Sequence, residues 1–83
     1  MEYAIAVYLS RNVTMQAYNA LIRRGVNVVI VSTPKFAGAG CGLSLKMSAE
    51  SARQYRNLLS GGESFAGIFL VRRTARGSVA IKI

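Results

Sequence analysis

The sequence has no histidine and no aspartate, and only one proline and one cysteine among its 83 residues. Each scarcity removes a class of chemistry. With Glu2, Glu50 and Glu63 as the sole carboxylates, one chain cannot assemble an acid/base dyad, a cysteine-protease arrangement, or a histidine or carboxylate metal site. No metal and no cofactor is therefore expected, and a self-contained enzyme is disfavoured. A lone cysteine makes no intrachain disulfide, which agrees with a reducing compartment. No apolar run reaches the roughly 18 to 20 residues of a membrane-spanning helix, and the longest candidate, Val26 to Val31, is strand-sized. The start, Met1-Glu2-Tyr3-Ala4-Ile5, lacks the basic stretch and long apolar segment of a secretory signal, so the cytoplasm is the expected location.

The residues present are those of a folding chain. A hydrophobic fraction of 52% and a mean hydropathy of +0.31 are too high for disorder, which requires too little apolar surface to offset chain entropy. The length fills one core but not two, so residues 1–83 are expected to form a single domain. Ordering entropy of about 1.5 kcal/mol per residue nearly cancels what so small a core supplies, so burial in an oligomer would help. Eleven Lys and Arg against three Glu give a net charge of +8. That charge attracts nucleic acid, an anionic metabolite or an acidic protein, or it serves solubility alone.

Tyr3, Ile5, Val7 and Leu9 alternate with Ala4, Ala6 and Tyr8, which predicts a first strand. Ser10 or Asn12 caps a helix in which Ala17, Tyr18, Leu21 and Ile22 recur at helical spacing, and Arg23, Arg24 and Gly25 suit its end. Val26 to Val31 predicts a second strand, ended by Ser32-Thr33-Pro34. Leu43, Leu45 and Met47, alternating with Ser44 and Lys46, predict a third. Ser48 opens a second helix with Glu50 in its first turn, an apolar stripe of Ala52, Tyr55, Leu58 and Leu59, and a stop at Gly61-Gly62. Phe65 to Val71 predicts a fourth strand. Arg72, Arg73, Arg76 and Gly77 read as a basic turn, and Ser78 to Ile83 as either a fifth strand or a frayed tail.

The order βαββαβ predicts an α+β two-layer sandwich of the ferredoxin-like kind, with both helices on one face of an antiparallel sheet and an extra C-terminal strand. Strands one, two and four are apolar on both faces, so the second face needs cover. A homodimer packed through the sheet face supplies it; the alternative is a tolerable mixed surface of Ala4, Ala6, Ala66 and Gly67.

The stretch from Thr33 to Gly42 concentrates three of eight glycines and the cysteine between two strands. Glycines flanking Cys41 permit positive φ, so the main chain can curl and turn N–H groups toward a sulfur or an anion. A thiolate is the reactive form of cysteine, and nearby cations or oriented amides lower its pKa. Lys35 is the nearest candidate cation in sequence, and Lys46 is another. The alternative is a small buried apolar residue at a strand start, the usual fate of a free cysteine. The loop lacks both the Gly-Lys-Ser/Thr of a Walker sequence and dinucleotide-binding spacing.

The segments from Ser10 through Gly25, Ser32-Thr33-Pro34-Lys35, and Cys41-Gly42-Leu43-Ser44-Leu45-Lys46 resemble a small bacterial family of selenium/sulfur carrier-like proteins. In that family a strand and a serine-led helix precede a Thr-Pro-Arg/Lys loop that leads into Cys-Gly-Leu and another strand. Thr33, Pro34, Cys41 and Gly42 match directly, and Lys35 keeps the charge where arginine is common. Ser32 stands in place of a frequent proline and Arg11 in place of a frequent threonine. Gly38, Ala39 and Gly40 stand where serines are common, so backbone amides are expected to be the main stabilisers of the sulfur.

Three functions follow. In the first, the Cys41 thiolate accepts sulfur or selenium as a persulfide or perselenide from a donor protein and passes it to an acceptor, supported by Thr33, Pro34, Lys35, Gly40 and Gly42. In the second, Arg53, Arg56, Arg72, Arg73 and Arg76 hold nucleic acid or an acidic protein, although Arg53 and Arg56 read more readily as a solvated helix face. Tyr8 is then the candidate platform for base stacking, without an RNP-like motif around it. In the third, the chain is a structural homo-oligomer.

Overall fold

A computed structural model describes residues 2–38 and 40–83, so Met1 and Ala39 of the glycine-rich loop lie outside the described residues. The elements are β1 (Glu2–Tyr8), α1 (Arg11–Arg23), β2 (Val29–Ser32), a 3₁₀ turn (Lys35–Ala37), β3 (Leu43–Ser48), α2 (Ala49–Gln54), α3 (Arg56–Leu59), β4 (Phe65–Thr74) and β5 (Gly77–Lys82). The strands form one antiparallel sheet in the order β2-β3-β1-β4-β5. The chain is thus α+β, with β1 at the centre between β3 and β4 and the C-terminal segment paired as a strand. No helix among the described residues is long and apolar enough to cross a membrane.

The helices pack on one face of the sheet. Ala4, Ala6 and Tyr8 of β1, Leu45 and Met47 of β3, and Ile68 and Leu70 of β4 share a core with Leu21, Ala52 and Leu59 from the helices. Small residues on central β1 let α1 and α2 approach closely, whereas the larger odd-numbered side chains of that strand point to the other face. Tyr8 is the exception: its ring lies edge-on to Phe65, and its hydroxyl donates to the Leu59 carbonyl at 2.6 Å. Burial pushes its pKa up to about 12. A ring buried in this way cannot stack a base, which corrects the expectation of Tyr8 as a platform.

Ser10, rather than Asn12, caps α1, accepting from the Val13 amide. The helix closes with paired bonds from Gly25 N–H to the Ile22 carbonyl and from Val26 N–H to the Leu21 carbonyl. That closure commits the Val26 amide, so Val26 and Val28 enter the helix-side core and β2 begins only at Val29. Ser48 caps α2 as expected, with Glu50 in the first turn. The second helix is broken at Tyr55 into α2 and α3, while bonds from Tyr55 N–H to Ser51 and from Leu59 N–H to Tyr55 carry the apolar stripe across the break. Arg72 and Arg73 belong to β4, paired with Val79 and Ser78, and only Ala75 and Arg76 make the turn.

The second sheet face is covered in part by the chain itself. Ile5, Val7 and Val71 are buried there, with Ala37 of the 3₁₀ turn packed on them and Phe36 edge-on to Phe69 at 5.6 Å. The loop after β2 therefore folds back across the sheet.

Candidate thiol site

Cys41 is placed by β1. Its amide donates to the Tyr8 carbonyl at 3.1 Å, just past the paired part of β1 and β3. The Thr33 amide donates to the Gly42 carbonyl at 3.1 Å, and the Thr33 and Ser44 hydroxyls bond at 2.8 Å with Ser44 fully buried. These contacts bind both ends of the loop to the sheet. Gly40 is required between them: its φ is +149°, and an added Cβ would lie 2.9 Å from Thr33 Cγ2 and 3.2 Å from Val7 Cγ1.

Because β1 leads through Leu9 and Ser10 into α1, the start of that helix stands beside Cys41. The fully buried Thr14, in the first turn, has Oγ1 3.4 Å from Cys41 Sγ and also donates to the Ser10 carbonyl at 2.9 Å. The thiol itself donates to the Leu43 carbonyl at 3.4 Å. Burial pushes the thiol pKa up, but the Thr14 hydroxyl, main-chain hydrogen bonding at Leu43 and Cys41, and the Arg11 charge outweigh it, so the pKa lies below the ordinary thiol value. The residue is partly exposed. The arrangement is a reachable sulfur with hydroxyl, amide and cationic stabilisation of its anion, which is what a nucleophilic thiol requires.

The structure brings together part of what the sequence singled out. Thr33, Gly40 and Gly42 shape the loop around Cys41, and Pro34 precedes the 3₁₀ turn that carries exposed Lys35. A cation that acts on the sulfur is Arg11, at the start of α1. Lys46 lies elsewhere, its Nζ 4.4 Å from the centre of the Tyr3 ring. Arg11 and Thr14 come from a segment remote in sequence from the loop, so sequence neighbourhood around Cys41 does not reveal them. The signal was present in Ser10: a capped helix starting two residues after a central strand must place its first turn at that strand's end. Thr14 also restores the hydroxyl donor that the missing loop serines had suggested was lost.

Arg53 and Arg72 stand apart from this site. Arg72 donates to Glu2 at 2.9 Å and Arg53 lies 3.8 Å from the same carboxylate, at the opposite end of β1 from Tyr8. Seven strand residues span about 20 Å. Arg73 lines a cleft with Glu2, Tyr3, Lys46 and Ser78, Arg76 sits in the β4–β5 turn, and Arg56 is exposed at the start of α3. Arg53, Arg72 and Arg73 thus gather around Glu2. No cluster of potential metal-binding side chains occurs among the described residues.

Comparison with known families finds that the model described as "Putative Se/S carrier protein-like" matches residues 3–65, which run from β1 to the first residue of β4 and include the whole thiol site. No curated protein and no solved structure matches the chain.

Proposed function

We propose, from the premise that the chain belongs to the Se/S carrier protein-like family, that Cys41 carries sulfur or selenium between proteins. One observation carries the reading: the family's match contains a partly exposed thiol whose anion is stabilised by Thr14, main-chain groups and Arg11. In loading, the Cys41 thiolate attacks the outer sulfur of a donor persulfide; the Cys41 S–S bond forms, the donor's S–S bond breaks and the donor thiolate leaves. In delivery, an acceptor thiolate attacks the same outer sulfur and Cys41 leaves as the thiolate. Electrons balance across both steps, and no acid/base residue or cofactor is called for. Selenium follows the same path as a perselenide.

In this reading the whole 83-residue chain acts as one domain, as a carrier rather than an enzyme, in the cytoplasm, with donor and acceptor proteins as partners drawn by the net charge of +8. The test is mass spectrometry after incubation with a cysteine desulfurase and cysteine. A sulfur adduct on the wild type, removed by reductant and missing from Cys41→Ser, supports the carrier; an unmodified wild type rejects it.

A second reading rests on the cleft around Tyr3, where Lys46 and Arg73 flank an aromatic ring on the sheet face. Such a cleft suits an acidic protein or the backbone of nucleic acid. A gel shift that weakens with salt and with the paired changes Lys46→Ala and Arg73→Ala would favour it. A homodimer through the sheet face would use the uncovered part of that face near Tyr3 and Val29, and size-exclusion at several concentrations reads it out.

A further inference from the structure

We propose that Thr14 is the positioning residue of the thiol, its single hydroxyl proton switching between the Ser10 carbonyl and the Cys41 sulfur as the sulfur changes charge. The geometry carries the inference. Thr14 Oγ1 has two partners, the Ser10 carbonyl at 2.9 Å and Cys41 Sγ at 3.4 Å, and one proton to give. While Cys41 is protonated, the Ser10 carbonyl takes the Thr14 proton and the thiol proton points to the Leu43 carbonyl. Once the sulfur is ionised it donates nothing, and the strongest acceptor within reach of Thr14 is the anion. The hydroxyl then rotates about χ1 or its C–O bond toward the sulfur. The Ser10 carbonyl loses little, because it still accepts the Thr14 amide at 3.0 Å.

The switch has a direction that matters for transfer, and this part rests on the carrier reading. In a loaded persulfide the charge sits on the outer sulfur, so Sγ is neutral and Thr14 returns to Ser10. Its stabilisation is thereby given to the unloaded thiolate alone, which is the attacking group in loading and the leaving group in delivery. Thr14 is buried and cannot touch a donor or acceptor, so it acts through the sulfur. Arg11 is the charged residue that acts on the thiol among the described residues. Tyr8, the titratable neighbour whose carbonyl holds the Cys41 amide, has its own hydroxyl committed to Leu59.

The experiment compares Thr14→Val, Thr14→Ala and Thr14→Ser in the full chain, reading the rate of Cys41 alkylation by iodoacetamide against pH. Thr14→Val and Thr14→Ala are expected to displace the profile to higher pH, slowing alkylation about tenfold at a fixed pH on its acidic limb, and Thr14→Ser to restore the wild-type profile. If Thr14→Val does not fold, as judged by circular dichroism, the Ala and Ser variants decide by the same comparison. An unmoved profile in a folded variant without the hydroxyl, or a Ser variant displaced as far as Ala, overturns the proposal. The carrier reading fails separately, by the lack of a sulfur adduct on wild-type protein.

Discussion

The Thr14 hydroxyl and the Cys41 sulfur, 27 residues apart in the chain, stand 3.4 Å apart in the fold. That contact exists because β1 ends at the start of α1 and the loop after β2 returns its cysteine to the Tyr8 carbonyl. It gives a cysteine in a glycine-rich loop a hydroxyl neighbour, shared with the Ser10 carbonyl.

The stabilised anion predicts the pH dependence of the thiol. A lowered pKa leaves more thiolate at any pH below the ordinary value near 8.5, so alkylation of the folded protein should persist to lower pH than that of an unfolded control. The linkage has one sign: ionisation favours the folded state, so this contribution is present at alkaline pH and is lost as pH falls through the folded-state value. Matching profiles for folded and urea-unfolded chains would refute it.

Arg11 and Lys35 should separate by mutation. Arg11→Ala is expected to slow alkylation by a few-fold in low salt and less in high salt, because its effect on the sulfur is coulombic. Lys35→Ala should leave the rate unchanged. Equal slowing by both variants would place the lysine at the thiol after all.

Gly40 and Gly42 both have positive φ, but only Gly40 is also crowded, by Thr33 and Val7. Gly40→Ala should cost about 1–3 kcal/mol in urea unfolding and increase Cys41 exposure, while Gly42→Ala should carry the backbone term alone. Equal costs would show that the loop moves freely to admit a methyl group.

Tyr8 should limit stability in alkali. Its folded-state pKa of about 12 lies above the ordinary 10, so its protonated form stabilises the fold below pH 10 and that contribution declines as pH rises toward 12. The loss should approach about 2–3 kcal/mol. Tyr8→Phe should remove this alkaline decline while costing about 1–2 kcal/mol at neutral pH, since the buried Leu59 carbonyl loses its donor. Chemical denaturation at neutral and high pH measures both.

Much of the fold was legible. Alternation in Tyr3 to Leu9, the caps Ser10 and Ser48, and the stops at Gly25 and Gly61-Gly62 act over one turn or one strand, so local pattern reports them faithfully. The late start of β2 was not legible, because it depends on the closing bonds of α1. Nor was the partial cover of the second sheet face, which requires Phe36 to find Phe69 across the fold. The basic residues were legible as a count but not as a map: Arg53 and Arg72 meet at Glu2, one strand length from the sulfur.

Sequence alone determined the chemical inventory: one thiol, no histidine, a surplus of cations and an alternating pattern able to form this sheet. Those properties belong to residue type and spacing, which are one-dimensional. Tertiary structure alone decided which hydroxyl and which cation serve the thiol, because electrostatic and hydrogen-bond effects fall off within a few ångströms and depend on which segments the sheet brings side by side. The short connection from β1 into α1 set Thr14 beside Cys41, and strand pairing carried Lys46 to Tyr3.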